Sequence, residues 1–84
     1  MTNTEFDVLD ELYFVQSFEA LQQVLVMPEF ELKDVLQGLM KKGWIKCFKS
    51  AAEELPAEEV YFENEFKNYY YLATKAGLLA HNSR

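Results

Sequence analysis

Apolar residues recur at helical spacing through the first half of the chain and at alternate positions in two stretches of the second half. Over residues 5–15, Val8, Leu9, Leu12, Tyr13 and Val15 share one side of a helical wheel, with Asp7, Asp10 and Glu11 opposite, which predicts an amphipathic helix. Acids in its early turns suit the positive end of the helix dipole. Phe14 falls off the apolar arc and is expected to pack beneath the segment that follows, an exposed contact being the alternative. Ser17 has the chemistry of an N-cap and predicts a second, short helix over 18–25, with Phe18, Leu21, Val24 and Leu25 at helical spacing. Pro28 interrupts the pattern by disfavouring helical backbone in the residue before it, and then opens a third helix near position 28 or 29. Leu32, Val35, Leu36, Leu39 and Met40 form an unbroken stripe. Lys41 and Lys42 fall in the last turn, where cations suit free carbonyls, and Gly43 supplies a left-handed stop.

Residues 44–49, WIKCFK, mix β-branched and aromatic side chains with alternate lysines and read as a strand. From 50 to 68 the pattern loosens. Ser50 and Glu53 have capping-box spacing, predicting a helical turn over 51–55 that Pro56 ends, and 60–63 reads as a short strand. Nineteen residues is long for a bare connection, so this segment has structure of its own or is mobile. Residues 69–73 read as a strand, and Thr74 caps a last helix running to about His81, weakened by the internal Gly77.

Three helices, a two- or three-stranded hairpin and a closing helix make an α+β architecture. The order resembles the winged helix-turn-helix family of bacterial transcriptional regulators. The likeness is carried by the stripe ending Leu39-Met40-Lys41-Lys42-Gly43-Trp44-Ile45, and by Tyr71-Leu72-Ala73-Thr74-Lys75-Ala76-Gly77 with its Y-x-x-T-x-x-G spacing. It spans essentially the whole chain. One domain over 1–84 is expected, comprising a three-helix part (1–43), a strand-wing-strand part (44–73) and a closing helix (74–84). The resemblance implies a third helix lying in the major groove of DNA and a wing along the phosphate backbone.

Charge argues against that partner. The 84 residues carry 14 acids and 8 bases, a net charge of −6, and the single arginine is the last residue, Arg84. The outward face of the third helix carries Phe30, Glu31, Lys33, Asp34, Gln37 and Lys41, in which acids and lysines cancel. Gln37 could pair with an adenine edge and Phe30 could touch a thymine methyl, but no arginine is there to read guanine. From Lys49 to Asn68, six glutamates (53, 54, 58, 59, 63 and 65) face only Lys49 and Lys67, a net charge of −4. Such a wing would be repelled by phosphates and would have few counterions to release. Were DNA the ligand, Phe30, Lys33, Gln37, Lys41, Lys42 and Lys46 are the residues to bind it. Otherwise the Lys41, Lys42, Lys46 and Lys49 cluster serves the helix end and solubility.

Tyr61, Phe62, Phe66, Tyr69, Tyr70 and Tyr71 bring six rings into eleven residues. Alternation along a strand puts Tyr69 and Tyr71 on one face and Tyr70 on the other. Tyr61, Phe62, Phe66, Tyr69 and Tyr71 are therefore the expected protein-binding set, since exposed tyrosines favour protein contacts. The alternative is that a thin domain uses these rings to complete its own core.

Little catalytic chemistry is available. Cys47 is expected on a buried strand face, and one cysteine with one histidine (His81) cannot make a closed zinc site. No glycine-rich phosphate cradle or calcium loop is present, and no cofactor is implied. No apolar run approaches the roughly 18 residues of a membrane span. The acidic start is unlike a signal peptide, so a cytoplasmic location is expected. The sequence thus points to a non-catalytic module that contacts protein, itself or a basic partner, with a small dimeric DNA-binding regulator as the alternative. A weaker variant has the glutamate run mimicking DNA in another protein's basic groove.

Overall fold

A capping box starts the first helix in the computed structural model, which describes residues 1–83; Arg84 lies outside them. Thr2 accepts the backbone N–H of Glu5 at 3.0 Å while the Glu5 carboxylate accepts the N–H of Thr2 at 2.9 Å, giving α1 (Asn3–Glu11) a fixed start. The helix is shorter than the apolar pattern predicts. The Leu12 carbonyl accepts a hydrogen bond from Ala73 N–H at 2.9 Å, which peels the chain away to form β1 (Gln16–Ser17). This departure leaves Phe14 77% exposed instead of packed beneath the next segment.

The helix-turn-helix core follows the expected boundaries. Ser17 accepts Ala20 N–H at 3.1 Å and caps α2 (Phe18–Leu25), and α3 (Glu29–Lys41) starts directly after Pro28. Val24, placed by its spacing on the apolar face, is instead largely exposed. Val26 joins the two helices with φ of 50°, a left-handed conformation unusual for a β-branched residue. Gly43, with φ of 73°, ends the turn after α3 as expected. Val8, Leu9, Leu12, Leu21, Leu32, Leu36 and Leu39 are fully enclosed between the three helices and the sheet.

Among the described residues the sheet has four antiparallel strands, β1, β2 (Ile45–Ser50), β3 (Glu53–Glu54) and β4 (Tyr70–Ala73), in the order β1-β4-β2-β3, one more than the widest hairpin expected. Strand β4 (Tyr70–Ala73) lies between β1 and β2 (Ile45–Ser50), with Cys47 opposite Tyr71 and Ile45 opposite Ala73. Residues 51–55 do not form a helical turn. Ala51 and Ala52 link Ser50 to Glu53 in a tight hairpin whose second strand is β3 (Glu53–Glu54). Residues 60–63 are not a strand either: a single 3-10 turn (Ala57–Glu59) leads to α4 (Phe62–Glu65) and a second 3-10 turn (Phe66–Asn68).

Helix α5 (Lys75–Asn82) closes the fold. Thr74 accepts Gly77 N–H at 3.1 Å and donates its hydroxyl to the Gly43 carbonyl at 2.6 Å, fastening α5 to the turn after α3. Gly77 lies so close to Trp44 that a methyl group there would overlap the Trp44 carbonyl. At the other end of α5, His81 stacks on Phe6 of α1 with centroids 4.1 Å apart, and its Nδ1 lies 2.8 Å from the Tyr13 hydroxyl. Among the described residues, no helix is long and apolar enough to cross a membrane.

Candidate functional site

The outward surface of α3 and the insert between β2 and β4 meet, and their meeting decides what α3 presents. Four residues of α3 stand well into solvent: Phe30, Glu31, Asp34 and Lys41, with Phe30 73% exposed. Lys33 and Gln37, one turn apart on the same helix, do not stand free. The Lys33 ammonium lies 2.7 Å from Glu63 Oε2, and Gln37 Nε2 donates to Glu63 Oε1 at 3.4 Å. Lys33 also sits 5.1 Å above the centre of the Phe66 ring. Its hydrogen bond and charge hold the Glu63 carboxyl below the usual carboxylate range. A second tie joins Lys67 to Glu29 at 3.4 Å, at the start of α3.

Two of the three remaining lysines of the expected DNA-binding set, Lys42 and Lys46, are also matched to carboxylates. Lys42 pairs with Glu5 at 2.7 Å and lies 4.7 Å over the Trp44 ring. Lys46 pairs with Glu54 at 3.0 Å across the β2–β3 hairpin, near Phe48. Of the six residues Phe30, Lys33, Gln37, Lys41, Lys42 and Lys46, only Phe30 and Lys41 lack a carboxylate contact among the described residues.

The aromatic set divides by burial. Phe62, Phe66, Tyr69 and Tyr71 are buried, so these four cannot form the exposed surface expected of them; of that set only Tyr61 is exposed, at 68%. The rings serve the insert's own core. Phe66 meets Phe18 of α2 edge-on at 5.2 Å and Phe62 at 5.8 Å. The Tyr71 hydroxyl donates to the Phe66 carbonyl at 2.6 Å, and burial pushes its ionisation upward. Tyr69 and Tyr71 do share a face, as alternation requires, but that face is the inner one. Cys47 beside them is buried as expected, and desolvation raises its thiol to about 12. Buried in this way, the thiol packs as a small apolar group.

On its other side the insert is concave. A cleft of about 430 Å³ opens between β2 and the residues before and after α4, with Tyr61 and Tyr69 and the Leu55 side chain as apolar surface and Glu59, Glu65 and Lys49 around it. The Tyr69 hydroxyl accepts the backbone N–H of Tyr61 at 2.9 Å, and Asn68 Nδ2 donates to Glu65 Oε2 at 2.8 Å. By composition Glu59, Glu63 and Glu65 are only members of an acidic run. Spacing offered a clue: Phe62, Phe66 and Tyr69 stand at i, i+4 and i+7, a helical stripe that turns Glu63 to one side of the insert and leaves Tyr61 on the other.

Two solved structures share this architecture. One, described as the Multiple Antibiotic Resistance Repressor, MarR, aligns at a TM-score of 0.76 with 18% sequence identity; the other, the apo form of wild-type MarR from E. coli, aligns at 0.75 with 19%. Each match covers 99% of this chain and 53% or 54% of the other, so the chain spans about half the length of those proteins. At that identity the likeness establishes the fold, the winged helix-turn-helix expected from the Gly43 and Thr74 motifs. No protein-family profile and no curated protein matches the sequence.

Proposed function

We propose that the chain is a non-catalytic, regulator-like winged-helix module whose working contacts are with protein, a second copy or a partner with a basic surface, rather than with bare duplex DNA. The observation that carries this reading is Glu63. Its carboxylate engages both Lys33 and Gln37, the side chains of α3 best suited to a phosphate and an adenine edge. A DNA strand reaching α3 must first displace that anion, and must do so beside a segment of net charge −4. Pairing of Lys42 and Lys46 with glutamates lowers the remaining attraction further.

A second reading, a small dimeric DNA-binding regulator, draws on the fold likeness and on the exposed Phe30 and Lys41 of α3. Generic duplex titrated at about 50 and 200 mM salt separates the two: a contact with Z phosphates gives a log–log slope of roughly −0.9Z. The protein-contact reading expects no measurable binding at the lower salt, with Glu63→Ala the variant to reveal any latent affinity. Tight, salt-dependent binding by the unmodified chain overturns it. A strictly monomeric state in light scattering at high concentration removes the second-copy half and leaves the basic partner.

A further inference from the structure

We propose that the outer cleft of the insert is a docking site for an arginine side chain presented by a partner protein. The proposal rests on the protein-contact reading and names the chemistry of the partner.

Three features of the cleft converge on a planar cation. The first is the Tyr61 ring, 68% exposed although its backbone N–H is bound by the buried Tyr69, so an open aromatic face stands on an anchored main chain. A guanidinium stacks on such a face, and does so more readily than an ammonium because it is flat and more weakly hydrated. The second is a pair of carboxylates, Glu59 and Glu65, on the same cleft, with Glu65 positioned by Asn68. A guanidinium offers donors in a fixed fork that carboxylates match. The third is size. At about 430 Å³ the cleft falls within the roughly 300–1,000 Å³ of ligand sites, ample for one long side chain and its flanking backbone.

Lys49 also lines the cleft and opposes any cation by charge alone. Recognition therefore depends on stacking and on the two glutamates together, which favours arginine over lysine. The charge of the segment agrees in sign: Glu53 and Glu58, in the same stretch of chain, are exposed and without an ion pair among the described residues. The apolar side of the insert faces inward through Phe62 and Phe66, so the cleft is the face left to a partner.

The test uses the full chain and three end-blocked peptides, Gly-Arg-Gly-Arg-Gly and its lysine and citrulline counterparts, followed by amide chemical shifts. Expected are saturable shifts at Glu59, Tyr61 and Glu65 with the arginine peptide, about two- to fivefold tighter than with lysine, the worth of an exposed cation–π contact. Citrulline, which keeps the shape and loses the charge, should produce none. Tyr61→Ala, a change at an exposed ring, should remove the preference for arginine over lysine, and Glu65→Gln should weaken both cationic peptides. Shifts that are absent, scattered over other surfaces, unchanged in Tyr61→Ala or equal for citrulline overturn the proposal. DNA binding together with cleft-confined arginine shifts would sink the earlier reading alone; no DNA binding and no cleft shifts would sink this one alone.

Discussion

The two helix-interior glycines, Gly38 in α3 and Gly77 in α5, look alike on propensity and differ in surroundings. A methyl group at Gly38 meets nothing within 4 Å, whereas at Gly77 it runs into the backbone of Trp44. Gly38→Ala should therefore stabilise the protein by about 1 kcal/mol. Gly77→Ala should destabilise it by about 2–3 kcal/mol, because backbone cannot rotate out of the way as a side chain would. Urea denaturation of the two variants reads both signs. Propensity marks Gly77 only as a weak point of its helix; its purpose depends on Trp44, thirty-three residues earlier, and no local pattern carries that. Val26 makes a related case. Held left-handed and 87% exposed, it pays for its conformation with no burial in return. Val26→Asn, which tolerates that region, should raise stability by about 1 kcal/mol in the same assay.

At the scale of elements, legibility followed the length of the periodic signal. Helix α2 has the predicted boundaries and α3 begins where Pro28 indicated, because each joins a recognisable start to a stripe of buried apolar residues. Helix α1 was read too long since Tyr13 and Val15 fit its wheel, and the competing demand of β4 on the Leu12 carbonyl is a long-range one. The β2–β3 hairpin turns on two alanines, without the glycine or asparagine that would have announced it, and Ser50 with Glu53 imitated a helix start instead. In the insert the rings are legible as a cluster, but the sequence leaves open whether they face a partner or complete the core, and all but Tyr61 and the half-buried Tyr70 turn inward. Their inward placement makes Phe66 the pin that holds α4 against α2. Phe66→Ala should cost about 3 kcal/mol and hasten limited proteolysis within residues 55–68 before cleavage elsewhere. Loss of stability without that local sensitivity would show the insert to be held by other contacts.

For the molecule as a whole, charge is organised more by internal pairing than by segregation. The Glu63–Lys33 and Glu5–Lys42 contacts both join segments distant in sequence, and both glutamates titrate below the ordinary value of 4.5. For Glu5 the Lys42 hydrogen bond is the larger cause and the Thr2 backbone the next. A carboxyl depressed on folding contributes stability that is complete above its unfolded value and disappears as pH falls through its folded one. Acid unfolding should accordingly begin below about pH 4.5 and become shallower in the Glu5→Gln/Glu63→Gln double variant, as followed by circular dichroism across pH. An unchanged acid limb would mean that other carboxylates govern it. Net charge was plain in the composition; which lysine answers which glutamate was not, because each pairing is made by the tertiary fold.

The position of β4 inside the sheet has a consequence for how the protein comes into being. Among the described residues, Gln16 and Ser17 have as their only sheet partners Tyr71 and Tyr70, and β2 reaches β1 only through that same strand. A nascent polypeptide leaving the ribosome can wind its early helices, but the layer that seals them waits for β4 (Tyr70–Ala73), far along the chain from β1, to emerge. Assembly is thus deferred until β4 has left the ribosome, and a product interrupted before that strand keeps its leucines open to chaperones and proteases.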